Sequence, residues 1–386
     1  MPLNPAMPLT AQAHAAAIED YTSHGVERGR QLDNRGPLRR DESGNLHPDI
    51  ISAYWDKGFY IFEGLVDVAE IQLLRDDMQY LFDHAPTGRG AECDAQGRPA
   101  FGQQFKRNPY TFIKPLSDPW GGTDLLGGRH PVAMTQPAPV SQDVKEVIFI
   151  MQGMCQIMDS GLRLYGHPEL LSIAGAINGD DFVPYNDAIF VKPAGLGGAV
   201  AWHQDGVTHW QSANWDMGIH GFNFQVQLYV CTPANCLWVV PGTHKLGKLD
   251  IKAMVQANGS EYLPDAIPLT CEPGDVTIVN RQLLHGSFAN TSPNLRISLT
   301  FGFHRRQAVL GERGALSQEG GEVYDEQRIF ERASVIPVAI DARAQFYPSQ
   351  PRFQYEPFVG LADKYGYNEQ NKARIIQDYN LKDLSI

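Results

Sequence analysis

Four residues of this 386-residue chain could do chemistry together: His203 and Asp205 in the tripeptide His203-Gln204-Asp205, then His285 and Arg296. Successive residues of an extended strand point to opposite faces, so a His-x-Asp pair puts both side chains on one side. A second histidine from a distant strand completes a set of two imidazoles and one carboxylate. Such a set suits ferrous iron and leaves coordination positions open for a cosubstrate and dioxygen. The setting agrees: GAVAWHQDG ends a β-like run before a glycine, and His285 in NRQLLHGSFAN ends a run that follows the turn EPGD. Between His285 and Arg296 the stretch NTSPN is rich in turn formers, so the chain should reverse there and place Arg296 and Ser298 on one strand face. A planar guanidinium binds a carboxylate through two parallel hydrogen bonds, which is what the distal carboxylate of 2-oxoglutarate would need.

These residues need strands to carry them. From Asp187 to about Phe303 the texture is short β-type runs between turn residues: AIFVKP, GAVAWHQD, FNFQVQLYV, LWVVPGTH, DVTIVN, LLHGSFAN and RISLTFGFH. That density predicts a mainly β fold with flanking helices, built on an antiparallel barrel or double-sheet jelly roll of the cupin type. Upstream, the pattern predicts a helix ending before Gly58, a strand over FYIFEG and an amphipathic helix from about Val66 to Phe82. Residues 84 to 140, rich in Gly, Pro and aromatics, read as long loops, either a lid or a variable surface insertion. Residues 142 to 175 read as one long or two shorter helices. Residues 1–46 read as an N-terminal arm or irregular cover, 47–304 as the domain proper, and 305–386 as a C-terminal extension wrapping it, with RASVIPVAI its one apolar stretch.

Composition narrows the partners. A net charge of −12 argues against broad binding to nucleic acid or anionic membranes, and no apolar run approaches the roughly 20 residues that span a bilayer. The N-terminus shows neither a basic leader nor a continuous apolar segment. Five widely spaced cysteines oppose a disulfide framework, and Cys231 and Cys236 lack a second Cys/His pair for zinc. A cytoplasmic protein acting on a small molecule is expected.

The motifs IFVKPAG, AWHQDG, CLWVVPGTHK, EPGDVTIVNRQLLHGS and NLRISL, in this order, resemble the phytanoyl-CoA dioxygenase-like group of Fe(II)/2-oxoglutarate oxygenases over roughly residues 52 to 303. The resemblance implies that His203, Asp205 and His285 ligate iron, that Arg296 anchors 2-oxoglutarate, and that Ser287 in HGS assists, with Ser298 a competing helper. It further implies consumption of dioxygen and 2-oxoglutarate, release of succinate and carbon dioxide, and oxidation of a C–H bond, most simply by hydroxylation. Desaturation, cyclisation and epoxidation share the same cofactor chemistry, and a noncatalytic jelly-roll binding protein is the rival from another class. Related halogenases replace the carboxylate ligand with a small residue, so Asp205 disfavours halogenation.

Other residues divide between site and scaffold. Asn186 and Gln227 are candidates to contact the cosubstrate, Gln227 only if its face of the alternating run is the barrel interior. Phe190 and Trp210 are the candidate substrate contacts. His209, His220 and His244 read as structural, and Lys192 as a strand-edge lysine that discourages aggregation.

Overall fold

A computed structural model describes residues 9–141, 143–314, 322–361 and 363–386. The first eight residues of the expected arm, residue 142, and residues 315–321 and 362 of the C-terminal segment lie outside the described residues.

Among the described residues there are twelve strands: β1 (Arg35–Gly36), β2 (Phe59–Phe62), β3 (Tyr110–Ile113), β4 (Val147–Gln152), β5 (Val183–Lys192), β6 (Val200–His203), β7 (Phe222–Gln227), β8 (Leu237–Val239), β9 (Ile267–Leu269), β10 (Val276–Asn280), β11 (His285–Ser287) and β12 (Arg296–His304). They make an eight-stranded sheet in the order β1-β2-β10-β7-β12-β5-β4-β3 and a four-stranded sheet in the order β6-β11-β8-β9. Apart from β1, which runs parallel to β2, the pairings of the large sheet are antiparallel. This is the double-stranded β-helix, with its major and minor sheets.

The alternation in FNFQVQ decides which face of the large sheet does what. Phe222, Phe224 and Val226 are fully buried and belong, with Ile297, Leu299, Phe301 and Phe303 of β12, to the main apolar core. Tyr165 of the flanking helices packs on Phe301 and Phe303 from that side, with ring centres 5.2 and 5.6 Å apart. Asn223, Gln225 and Gln227 therefore face the other way, alongside Arg296, Ser298 and Thr300, because Ser298 pairs in register with Gln227 and Thr300 with Gln225. The large sheet has an apolar back and a polar inner face.

The helices are α1 (Ala11–Ala17), α2 (Glu19–Arg30), α3 (Pro48–Lys57), α4 (Val68–Asp83), α5 (Met154–Ile157), α6 (Asp159–Tyr165), α7 (Pro168–Asn178), α8 (Ile251–Asn258), α9 (Arg306–Val309), α10 (Glu326–Ala333) and α11 (Val335–Phe346). Helix α3 ends as expected, at Gly58 with φ +85°, a conformation that costs a non-glycine residue, and the ring of His244 crowds the place where a Cβ would sit. Asp67 caps α4 by accepting the Glu70 N–H at 2.8 Å, and Ile71, Leu74, Met78 and Leu81 bury its inner stripe.

Three expectations change. Residues 147–152 are a strand rather than part of a helix: VIFIMQ is too short a run to show helical period, and Gly153, at φ +83°, breaks it from the helices that follow. The stretch 84–140 contains strand β3 at the sheet edge. In place of an irregular cover, residues 11–17 and 19–30 are helical; Thr10 caps the first helix, and Ala11, His14, Ile18, Tyr21 and Gly25 recur at helical spacing. Tyr21 stacks on Trp238 of the small sheet at 4.9 Å. At the other end of the chain, RASVIPVAI supplies α11, whose Val335, Ile336, Val338 and Ala339 are completely buried in the main core.

Two scaffold histidines predict acid sensitivity. Burial, with a smaller push from Arg343, takes His167 down to about 3, and burial takes His244 down to about 4. The unfolded chain binds a proton at each below about 6.5 while the folded protein refuses it, so stability present above that pH is lost as pH falls toward the folded values. Urea denaturation at pH 7 and pH 5 should show a fall of about 2 kcal/mol for each such histidine. His244→Gln should reduce the slope; equal stability at the two pH values would contradict this account.

Candidate active site

Strand β11 pairs antiparallel with β6, and His285 sits directly opposite His203. Their rings are 4.0 Å apart between centres. Each imidazole is fixed through Nδ1 to a backbone carbonyl two residues back: His203 to Ala201 at 2.8 Å and His285 to Leu283 at 2.7 Å. That bond makes Nδ1 the donor and leaves each Nε2 with its lone pair facing the carboxylate of Asp205. The distances from Nε2 to Asp205 are 3.7 Å for His203 and 3.8 Å for His285. One ligand atom from each of the three residues falls within 4.8 Å of the others, and all three residues are buried.

Gln204, between the two ligands, faces away and ties the strand end down. Its amide donates to the carbonyls of Gln282 at 2.7 Å and Gly247 at 3.0 Å and accepts the Leu249 N–H at 2.8 Å. Gly206 then turns the chain at φ +101°, where a Cβ would strike the ring of His220.

Burial alone would push the Asp205 carboxyl up, but the guanidiniums of Arg129 and Arg281 outweigh it and hold the group well below the usual carboxylate range. Arg129 Nη1 lies 2.7 Å from Oδ1, Arg281 Nε lies 3.8 Å from Oδ2, and the Asn223 amide donates to Oδ2 at 3.0 Å. Burial, reinforced by neighbouring cations, lowers both His203 and His285 from the ordinary histidine value. Both are therefore neutral at pH 7, the form in which imidazole ligates a metal.

Arg296 opens β12 beside this cluster, opposite Lys192 in register. Its Nη2 donates to Gln225 at 2.9 Å and its Nη1 to the Asn235 carbonyl at 3.3 Å, while Nε is buried with no hydrogen-bond partner among the described residues. No described carboxylate pairs with it. Lys192 is not the edge lysine expected: it is fully buried and donates to the Phe288 carbonyl at 2.6 Å. The reason is that β5 is an interior strand, flanked by β12 and β4.

The remaining candidates fall at different distances from the chemistry. Gln227 is on the inner face, where it accepts the Ser298 hydroxyl at 2.5 Å, so these two satisfy one another beside Arg296. Ser287 shares its strand face with His285 and pairs in register with Val200. Phe190 faces inward opposite Ser298. Trp210 donates to the Gly206 carbonyl at 3.0 Å and packs on His220 at 4.5 Å. Asn186 has a buried Oδ1 without a partner among the described residues and is not brought to the triad by any hydrogen bond. His209 and His244 each donate through Nε2 to a backbone carbonyl, Ala308 at 2.7 Å and Trp55 at 3.0 Å respectively.

Sequence reasoning missed Arg129, His130, Asn223 and Arg281. Arg129 and His130 come from the long loop, which Asp118 folds by accepting the N–H groups of Gly121 at 2.9 Å and Met134 at 2.8 Å. His130 packs on His203 at 4.2 Å. Nothing in the loop's own sequence marks them. Asn223, by contrast, shares the alternating face of Gln227, and Arg281 is a charge between the apolar runs VTIV and LL, four residues before His285.

A jelly roll with two imidazoles and a carboxylate on facing strand ends defines a class, the non-haem iron oxygenases of the double-stranded β-helix fold. Within it the chain belongs to the phytanoyl-CoA dioxygenase (PhyH) family, whose model matches residues 54–298. The family resemblance implies iron and 2-oxoglutarate as cofactor and cosubstrate. Phytanoyl-CoA dioxygenase 1 of Oryza sativa subsp. japonica is 32% identical over 120 residues, 29% of this chain and 41% of that protein, so the match spans about two fifths of the relative. Among solved structures, EctD from S. alaskensis with 2-oxoglutarate and 5-hydroxyectoine is 17% identical, with a TM-score of 0.48 over 76% of this chain and 92% of that one. AviO1 from Streptomyces viridochromogenes Tue57 is 20% identical, with a TM-score of 0.45 over 66% and 93%. Among the described residues no helix is long and apolar enough to cross a membrane.

The residues present fit both groups. Two neutral imidazoles with locked tautomers and one ionised carboxylate are a donor set for a divalent ion, and a buried guanidinium with a free N–H and no carboxylate of its own is a receptor for a dicarboxylate.

Proposed function

We propose that this protein hydroxylates a C–H bond of a small organic molecule, with iron held by His203, Asp205 and His285 and 2-oxoglutarate anchored by Arg296. The observation that carries the reading is the register pairing of His203 with His285, both Nε2 atoms turned to Asp205. Bound iron would supply the activation of dioxygen, one oxygen atom of which goes to 2-oxoglutarate as it becomes succinate and carbon dioxide and the other to the substrate C–H bond. The chain's own part is positioning. The two Nδ1 contacts hold the imidazoles in the ligating tautomer, and Gln204 fixes the strand end from which Asp205 projects. Arg296 receives the distal carboxylate from the polar inner face, with Ser298, Gln227 and Ser287 framing the approach. The loop carrying Arg129 and His130 covers the ligands, leaving the His203 and Asp205 side chains only 7% and 10% exposed, so bulk water is kept from the reacting atoms. Four of the five free cysteines are buried, and a reducing, cytoplasmic setting suits them.

Arg296→Ala should raise the KM for 2-oxoglutarate by roughly 100-fold, the loss of a charge-assisted two-pronged contact, while ferrous iron still binds. Arg296→Lys should recover part of it. Succinate formation measured against 2-oxoglutarate concentration provides the check. An unchanged KM would remove Arg296 from the cosubstrate site.

A further inference from the structure

The two arginines around Asp205 exceed what one carboxylate can satisfy. Arg281 is completely buried, with its guanidinium stacked 3.9 Å over the Tyr185 ring. Its Nη1 donates to the His220 carbonyl at 3.0 Å and contacts His304 Nε2 at 3.2 Å, but Nε and Nη2 have no hydrogen-bond partner among the described residues. Arg129 approaches from the covering loop and also keeps a buried Nε without a partner. Its side chain is 15% exposed, so it lies between the site and the outside. The neighbouring rings of His130, His220 and His304 offer no anionic partner.

A charge count gives the consequence. Two guanidiniums face one carboxylate, and that carboxylate is the proposed metal ligand. Iron(II) and the 2-oxoglutarate dianion cancel one another, so filling the site with both leaves a surplus positive charge beside Asp205. A buried charge without a partner is strongly unfavourable, and free N–H groups on a planar fork match anionic oxygens. Arg296 lies on the inner face of β12 with its own set of partners and serves the cosubstrate, so the surplus is not its counterpart.

We propose that Arg129 and Arg281 form a recognition site for an anionic oxygen group, a carboxylate or a phosphate, on the organic substrate, which makes these residues specificity-determining. The inference rests on the iron and 2-oxoglutarate reading above. Arg281 is held by Tyr185 and His220; Arg129 is the half that the loop supplies. An anion seated between them brings the oxidised C–H bond near the triad and makes the loop that supplies Arg129 part of the substrate site.

The test uses anaerobic protein loaded with Fe(II) and saturating 2-oxoglutarate, followed through the visible absorption band of that complex. Acetate, butyrate and phenylacetate, each matched with its amide, and inorganic phosphate are titrated in. At least one anion should perturb the band with an affinity roughly 10-fold or more above that of its neutral partner, and the carboxylate and phosphate arms show which group is preferred. Arg129→Gln should weaken that anion by roughly 10-fold and leave the affinity for 2-oxoglutarate within about twofold. Arg281→Lys, which keeps the charge, should retain part of the anion preference. The proposal is overturned if amides bind as well as acids, if no anion perturbs the band, or if Arg129→Gln weakens 2-oxoglutarate instead. Failure of the band to form at all would count against the iron and 2-oxoglutarate reading, and is therefore a separate result.

Discussion

Asp205→Ala is expected to abolish turnover and to cost more than roughly 100-fold in ferrous iron affinity, since losing even an outer partner of a metal ligand costs 10- to 100-fold. The same change should destabilise the metal-free protein, because Asp205 is also the counter-ion of two guanidiniums. Arg129 is 15% exposed and can turn to solvent, whereas Arg281 is completely buried and stays behind unpaired. Removing one member of a buried pair costs about 3–5 kcal/mol, and the partial exposure of Arg129 puts the expected loss near the lower figure. Anaerobic iron titration and urea denaturation of the metal-free variant read the two effects separately. Stoichiometric iron retained by Asp205→Ala would exclude the residue as a ligand; an unchanged denaturation midpoint would exclude it as the counter-ion.

The largest effect on stability should come from a place far from the chemistry. Glu70 in the first turn of α4 and Arg343 near the end of α11 form a two-pronged pair, Nη1 to Oε1 at 2.6 Å and Nη2 to Oε2 at 2.8 Å, with side chains only 3% and 4% exposed. Glu70→Ala leaves the guanidinium buried with the Gln350 side chain and the Arg163 carbonyl as its remaining partners. The expected loss is about 3–5 kcal/mol, a large part of the stability of an ordinary domain. Replacing both residues by Met should recover most of it, because an apolar pair of similar volume avoids the desolvation penalty. Denaturant unfolding of the single and double variants settles the matter: a single variant within about 0.5 kcal/mol of the parent would mean that the pair contributes little.

The sequence shows the site more readily than its surroundings, and the reason is local. His203, Asp205, His285, Arg296 and Ser298 declare themselves because strand alternation is a property of neighbouring residues, and the structure puts Arg296 and Ser298 on one face as that rule requires. The same rule carried Gln227 as far as a choice between two faces; only the helices packed on Phe224 and Phe301 could make the choice. Arg129 was beyond reach for a different cause. Its position depends on Asp118 gathering backbone N–H groups across the loop and on Leu116 bonding to the Leu196 carbonyl, contacts that no periodicity encodes. VIFIMQ reads as part of a helix because a six-residue apolar run carries too few residues to separate a strand from a buried helix.

The place of β12 in the large sheet bears on how the chain is made. It lies between β7 and β5, yet among the described residues it is the last strand in sequence, ending at His304. On a ribosome, β5 and β7 emerge first with the edges meant for β12 unpaired, and the roughly 70 to 110 residues still to be added take on the order of 10 seconds. During that interval Phe222, Phe224, Ile189 and Val191 line open strand edges of the kind that pair with other chains. Expression that slows translation beyond Gln227 should therefore favour aggregation, and a chaperone that shields β-edges should act on this protein chiefly before residue 304 is complete.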